Sequence, residues 1–221
     1  MGALVIDRST ERASGVIGLI GVVIALAGLP LAPKWPEANA PIDVVRAYFV
    51  EHGGAFLTQN CVVWFGFVLF AGFFVGASLR IARTGRHALS VASLLGATLL
   101  LGAMIFGNAP WAALAFAKPE SADVVRGLWN LGLVSAFNVA GIAMFAALAP
   151  LGTGIVASST FPRWFGVFVL GGAALGLGLA LCFAPSGTSS PSGSVGVASI
   201  VVLSAIIAIG SVLLIRGAPS P

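Results

Sequence analysis

Six long runs of apolar residues constrain this chain more than any other feature of its sequence. A helix that crosses the hydrocarbon core of a bilayer needs about 20 mostly apolar residues, and each run is long enough. The runs lack the alternating pattern of transmembrane β-strands. We therefore predict an all-α, polytopic transmembrane bundle forming one membrane domain. Its six helices are expected at residues 14–32, 56–79, 88–115, 126–149, 164–184 and 194–215. The third run is long enough to require a tilt or a break, which Asn108 and Pro110 near its end would supply.

The low content of charged residues agrees with a membrane protein. Only 8% of the residues are charged, whereas soluble proteins contain roughly 25%. The net charge of +4 does not indicate a nucleic-acid partner, because the 11 basic residues form no patch. The two cysteines, Cys61 and Cys182, lack the spacing of a metal site. Both are expected near the same membrane face, so a disulfide between them is left open.

Sidedness follows from the positions of lysine and arginine in the loops. Cytoplasmic loops of membrane proteins carry an excess of basic residues, so the richer side predicts the orientation. We expect both termini in the cytoplasm and the chain in the cytoplasmic (inner) membrane of a bacterium. Seven basic residues fall on the inner side, namely Arg8, Arg12, Arg80, Arg83, Arg86, Arg163 and Arg216, and four on the outer side, namely Lys34, Arg46, Lys118 and Arg126.

The first apolar run allows a second interpretation. Ala25-Leu26-Ala27 resembles a signal-peptidase site. The basic residues before the run, Arg8 and Arg12, are balanced by Asp7 and Glu11, unlike the positive start of a signal peptide. We therefore expect this helix to be retained.

A short motif occurs twice on the predicted outer side. Asp-Val-Val-Arg stands at 43–46 and again at 123–126, each time before a helix that runs inward. Its aspartate would interact with the positive end of the helix dipole. The motif is either a capped helix start or one of two polar clamps for a ligand or partner. The repeat suggests that hairpins 14–79 and 88–149 arose by duplication.

Most polar residues of the predicted spans lie toward the outer side. Polar groups inside a membrane mark a helix contact or a functional path, so we predict either interhelical hydrogen bonds or a small outer cavity. Glu51 and His52 are interpreted as an acid–base pair, a cation site or residues of a wet loop. No catalytic residue or metal ligand is predicted, and the sequence specifies no cofactor. The candidate ligand- or partner-binding residues are Asp43, Arg46, Glu51, His52, Gln59, Asn60, Asn108, Asp123, Arg126, Asn130 and Asn138.

Several segments resemble a group of uncharacterised six-helix membrane proteins of actinobacteria. The resemblance rests on the charged segment 44–59, the arginine-rich turn Arg80–Arg86 and the sequence Phe161-Pro-Arg-Trp-Phe-Gly166. It implies the six-helix topology and no activity.

Two functions agree with these features. The first is a non-catalytic membrane subunit or scaffold that packs against lipids, pigments or other membrane subunits. Its contact surfaces would be glycine-rich faces, such as Gly72-x-x-x-Gly76, and the phenylalanine-rich stretch Phe65–Phe74. The second is a small-molecule binding or transport protein whose extracytoplasmic cavity is the outer polar cluster. Enzymatic activity is not expected.

Overall fold

The computed structural model describes residues 8–181 and 194–217, and no β-strand occurs among them. Six helical spans are long and apolar enough to cross a membrane, which confirms the all-helical prediction. The helices are α1 (Arg8–Gly28, continued by a 3-10 turn at Leu29–Leu31), α2 (Ile42–Ala82), α3 (His87–Phe106), α4 (Ala109–Ala117), α5 (Ala122–Leu133), α6 (Ala140–Ser158), α7 (Arg163–Leu181) and α8 (Ser194–Arg216), with a π-helical segment at Val134–Val139 between α5 and α6.

Helix α2 extends far beyond the predicted apolar span. It has 41 residues, which corresponds to about 60 Å at 1.5 Å per residue, twice the roughly 30 Å of a hydrocarbon core. The helix begins at Ile42, directly after Pro41, since proline is poorly tolerated inside a helix but acceptable at its start. Glu51 and His52, for which a wet loop was one interpretation, therefore lie in the first third of a continuous helix.

The third and fourth spans are interrupted. The break predicted around Asn108 and Pro110 is present, because α3 ends at Phe106 and α4 begins at Ala109. In the fourth span, the backbone widens into a π-helix at Val134–Val139. Such segments free a carbonyl from the regular hydrogen-bond ladder and often lie near functional sites.

Glycines allow the helices to approach closely. A side chain at Gly21 of α1 would lie 2.7 Å from the carbonyl oxygen of Gly66 on α2, and one at Gly76 would lie 2.7 Å from Ser14. A side chain at Gly176 of α7 would lie 2.9 Å from the carbonyl of Gly141 on α6. These glycine faces are thus used inside the bundle, as expected for small residues at helix contacts.

The buried apolar residues form two separate cores. The larger one runs along the spans and includes Phe70, Phe73 and Phe74. The phenylalanine-rich stretch is therefore mostly interior, and Phe65 is its exposed member. The second core, here called the aromatic cluster, joins the loop before α2 to the starts of α2 and α5 and to α4. It contains Trp35, Tyr48, Phe49, Phe56, Trp111 and Trp129.

The two ends of the bundle differ in character. We call the end that carries the aromatic cluster the aromatic end. The opposite end, here called the arginine end, contains the start of α1, the end of α2 and the end of α8. Five arginines line one cavity there, namely Arg8, Arg12, Arg80, Arg83 and Arg216.

Candidate functional sites at the two ends of the bundle

The aromatic cluster is a continuous set of ring contacts. Trp35 lies with its ring centroid 4.8 Å from that of Trp111, in an edge-on arrangement, and 5.1 Å from that of Phe56. Trp111 and Trp129 are 5.6 Å apart, and Phe49 contacts Phe56 at 5.1 Å. Edge-to-face and tilted geometries at these distances are the favoured ones for aromatic pairs.

The polar atoms of these rings bond to the backbone. Trp111 Nε1 donates to the carbonyl of Trp129 at 3.2 Å, and Trp129 Nε1 donates to the carbonyl of Ala38 at 3.1 Å. The hydroxyl of Tyr48 donates to the carbonyl of Pro33 at 3.0 Å. Two of the three acceptors belong to the connection between α1 and α2, so the rings fasten that connection to the helices.

Gln59 and Asn60 are adjacent on α2 and both are buried. The Gln59 carbonyl accepts from Trp35 Nε1 at 3.0 Å, and its amide donates to the carbonyl of Leu29. Gln59 thereby joins the end of the first span to α2. The amide nitrogen of Asn60 is buried without a hydrogen-bond partner.

The three other predicted asparagines point to different places. Asn108 Nδ2 donates to the Met104 carbonyl of the preceding helix at 2.6 Å. Asn138, in the π-helical segment, donates to the carbonyl of Ala180 on α7 at 2.5 Å. Asn130 is exposed. The structure does not bring the three amides to one point.

The space beside the aromatic cluster is small. A gap lined by Arg46, Lys118 and Val125, among others, measures about 10 Å³, which is at the limit for a single water molecule. The predicted role of this region in ligand binding remains a prediction. The hydrogen bonds of Gln59 and Asn138 fit the alternative of helix-to-helix bonding.

The two Asp-Val-Val-Arg motifs occupy the same place in their helices. Asp43 and Asp123 lie in the first turns of α2 and α5, and both are exposed. In the described part of the chain, neither aspartate forms an ion pair with the arginine three residues later. The second valine of each motif is buried. The motifs are thus amphipathic helix starts whose inner faces enter the aromatic cluster.

The two motif helices also contact each other. The aromatic residues four positions after these valines, Phe49 and Trp129, lie 6.1 Å apart. Arg126 Nη1 donates to the carbonyl of Ala40, just before the first motif helix, at 3.3 Å. Arg46 lines the small gap beside Pro119, just before the second motif helix. The paired arrangement parallels the sequence repeat.

Glu51 and His52 lie on the open side of α2. Their closest side-chain atoms are 3.7 Å apart, and the Glu51 side chain is 74% exposed. The His52 ring contacts Tyr48 edge-on at 5.3 Å. In the described residues no group of three or more histidine, cysteine or acidic side chains is arranged to hold a metal ion. Cys61 is exposed, and Cys182, with which a disulfide was left open, lies outside the described residues.

The arginine end contains a buried ion cluster that the sequence analysis missed. Glu11 of α1 and Arg80 of α2 are each only 5% exposed. Arg80 Nε and Nη2 both donate to Glu11 Oε2, at 2.9 and 2.8 Å. Arg83, directly after the end of α2, pairs with the other carboxylate oxygen. One carboxylate thus holds two guanidinium groups.

The surroundings of Arg80 explain how its charge is tolerated. Its guanidinium carbon lies 4.7 Å from the centre of the Phe161 ring, a cation–π distance. Its terminal nitrogens donate to the carbonyls of Leu213 and Leu214 near the end of α8, both at 3.4 Å. A buried charge is stabilised only when it is paired and hydrogen-bonded. Arg80 therefore joins α1, α2 and α8 with a fixed orientation.

A signal for this cluster is present in the sequence. On the predicted arginine-rich side, the acidic residues are Asp7 and Glu11, and Glu11 lies next to the first apolar run. We interpreted Glu11 as balancing Arg8 and Arg12, its neighbours along the chain. Its partner Arg80 is 69 residues further along the chain. At that separation the spacing of two residues in the sequence does not predict whether they are in contact.

Comparison with known proteins adds no assignment to these sites. The sequence matches no protein-family model, and neither a curated protein nor a solved structure is significantly similar to the chain.

Proposed function

We propose that this chain is a multi-pass protein of the bacterial cytoplasmic membrane that acts as a non-catalytic subunit or scaffold, with both termini in the cytoplasm. The observation that carries the proposal is the composition of the third span. The buried face of α3 consists largely of small residues, among them Ser90, Ser93 and Gly96. Its exposed face carries the large ones.

The exposed residues of the third span form an apolar stripe. Val91, Leu95 and Leu99 follow one another at four-residue intervals, which places them on one helix face, and all are more than half exposed. Phe106 and Phe116 are 77% and 85% exposed. In water such a continuous patch would be unfavourable, whereas lipid or an apolar partner helix covers it without cost. The stripe supports a role in packing against lipid and other membrane subunits.

The buried charged residues favour a structural role. In the described part of the chain these are Glu11 and Arg80, which pair with each other. A proton-coupled transporter requires ionisable groups along a path through the membrane. The alternative function, small-molecule transport through an outer cavity, would require the aromatic cluster to open.

Co-purification tests the subunit proposal. The chain is extracted with its surrounding lipid by a mild copolymer, and its partners are identified by mass spectrometry. We expect a protein in stoichiometric amount, and we expect Leu95→Ala with Leu99→Ala to reduce its recovery. The matched variant Val16→Ala with Ile20→Ala, on the exposed face of α1, should retain it. Purification of the chain alone with a bound polar metabolite would instead support transport.

Cysteine labelling tests the orientation. In a background without Cys61 and Cys182, Ala88→Cys and Ala122→Cys place one thiol at the exposed start of α3 and one at that of α5. A membrane-impermeant maleimide should label Ala122→Cys in intact cells and Ala88→Cys only after permeabilisation. The reverse pattern would show that the termini face outward.

A further inference from the structure

A cavity of about 220 Å³ lies at the arginine end, beside the buried ion cluster. A drug-sized ligand needs a pocket of roughly 300–1,000 Å³, while one water occupies about 30 Å³ in the liquid. The cavity therefore has room for a compact group of several heavy atoms with some water. It lies between α1, α2 and α8, where the apolar spans end.

The lining of this cavity is strongly positive. In the described part of the chain it contains five arginines and a single carboxylate, that of Glu11. Glu11 is already bound by Arg80 and Arg83. Arg8, Arg12 and Arg216 come from both chain ends, and none of them forms an ion pair with a described carboxylate. The excess positive charge raises the free energy of the empty cavity, which favours the binding of an anion.

The floor of the cavity is held in place before any ligand arrives. Arg80 is fixed by the Glu11 carboxylate, by two backbone carbonyls and by the Phe161 ring. Arg8, Arg12 and Arg216 are exposed at the rim. Guanidinium groups bind phosphate through two parallel hydrogen bonds, so a fixed floor with an exposed arginine rim suits a tetrahedral oxyanion.

We propose that this arginine cavity binds a phosphate-bearing anion, with Arg12 and Arg216 among the rim residues that contact it and the Glu11–Arg80–Arg83 cluster as its floor. The phosphate belongs either to a phospholipid headgroup or to a soluble anion. Basic pockets at the cytoplasmic ends of membrane helices are suited to anionic headgroups. The proposal goes beyond the scaffold role, because the site binds its ligand whether or not a protein partner is present.

The test uses the full-length protein and two separate probes. In neutral detergent, inorganic phosphate is titrated against chloride at constant ionic strength, with the melting temperature as the readout. In nanodiscs, phosphatidylcholine is compared with phosphatidylcholine containing phosphatidylglycerol, and native mass spectrometry counts the retained lipid. If phosphate raises the melting temperature and phosphatidylglycerol is not retained, the ligand is a soluble anion. Retention of phosphatidylglycerol without a response to phosphate identifies a lipid headgroup.

The decisive variant removes charge from the rim without touching the buried cluster. Arg12→Gln with Arg216→Gln should weaken binding of the responding probe by about tenfold or more, because the double variant removes two guanidinium groups that form charge-assisted hydrogen bonds to the anion. The matched control, Lys34→Gln with Arg163→Gln, makes the same charge change at two exposed residues that do not line the cavity and should leave binding unchanged. The proposal is overturned if neither probe binds, or if both double variants bind equally well.

Discussion

The two ends of the bundle accommodate polar groups differently. At the aromatic end, the indole N–H groups of Trp111 and Trp129 donate to backbone carbonyls, and a gap lined by Arg46 and Lys118 measures about 10 Å³. At the arginine end, a carboxylate pairs with two of five arginines beside a cavity of about 220 Å³. Both spaces have basic linings, but only the cavity at the arginine end is large enough for an anion of several heavy atoms.

This contrast changes where we look for binding. Among the polar residues that the sequence emphasised, Gln59, Arg126 and Asn138 hold helices or loops together. The arginines that indicated only orientation surround the larger open space. Charge excess combined with open volume, more than the number of polar residues, distinguishes the arginine end. Four comparisons between variants test this contrast, in order of decreasing expected effect.

Removing the carboxylate should have the largest effect. Glu11→Gln leaves Arg80 buried without a counter-charge, and breaking a buried pair in this way costs about 3–5 kcal/mol. Arg80→Met should cost less, because Glu11 then retains Arg83. Unfolding in detergent, monitored by circular dichroism, gives the free energy of unfolding of both variants. Glu51→Gln, at an exposed site, is the control, and equal stability of Glu11→Gln and the native protein would contradict the buried ion cluster.

Steric substitutions probe the packed end. A side chain at Gly132 of α5 would collide with the indole of Trp111, while one at Gly127 of the same helix would meet open space. Gly132→Ala should therefore destabilise the protein by about 1–3 kcal/mol through overpacking. Gly127→Ala should be neutral or stabilising by up to about 1 kcal/mol, because alanine favours the helix. Comparable stability of the two variants would mean that the aromatic end is loosely packed.

The sequence alone predicts the spans well and the two ends poorly. Continuous apolar runs and the Asn108–Pro110 break are local signals, and the helices follow them. The continuous extension of α2 to Ile42 was not predicted, because Asp43, Glu51 and His52 lower the hydropathy of this stretch. The stretch is helical nevertheless, and its buried face includes Val45 and Phe49. Pairing of Glu11 with Arg80 depends on the packing of α1 against α2, which no local pattern encodes.

The asparagine bond from the π-helical segment is a smaller contribution. Asn138→Ala removes the donor to Ala180 on α7, and interhelical hydrogen bonds in membrane proteins contribute about 0.6 kcal/mol on average and up to about 1.7 kcal/mol. We expect a loss within that range in the same unfolding assay. Asn130→Ala changes an exposed amide of the same span and should have no effect. If Asn138 instead contacts a ligand, Asn138→Ala would weaken binding of that ligand and leave the free energy of unfolding unchanged.

The repeated motif allows the most delicate comparison, because the same residue type stands at equivalent positions. Arg126 donates to the carbonyl of Ala40, whereas Arg46 is exposed beside the small gap. Arg126→Met should therefore cost about 0.5–1.5 kcal/mol and Arg46→Met close to nothing. Such a difference would mean that one copy of the motif fastens the loop while the other copy has lost that contact. If both substitutions lower the free energy of unfolding equally, each motif helix supports the loop before the other. The aromatic end would then be symmetrical, and the Arg46 side chain would not be free to bind a ligand.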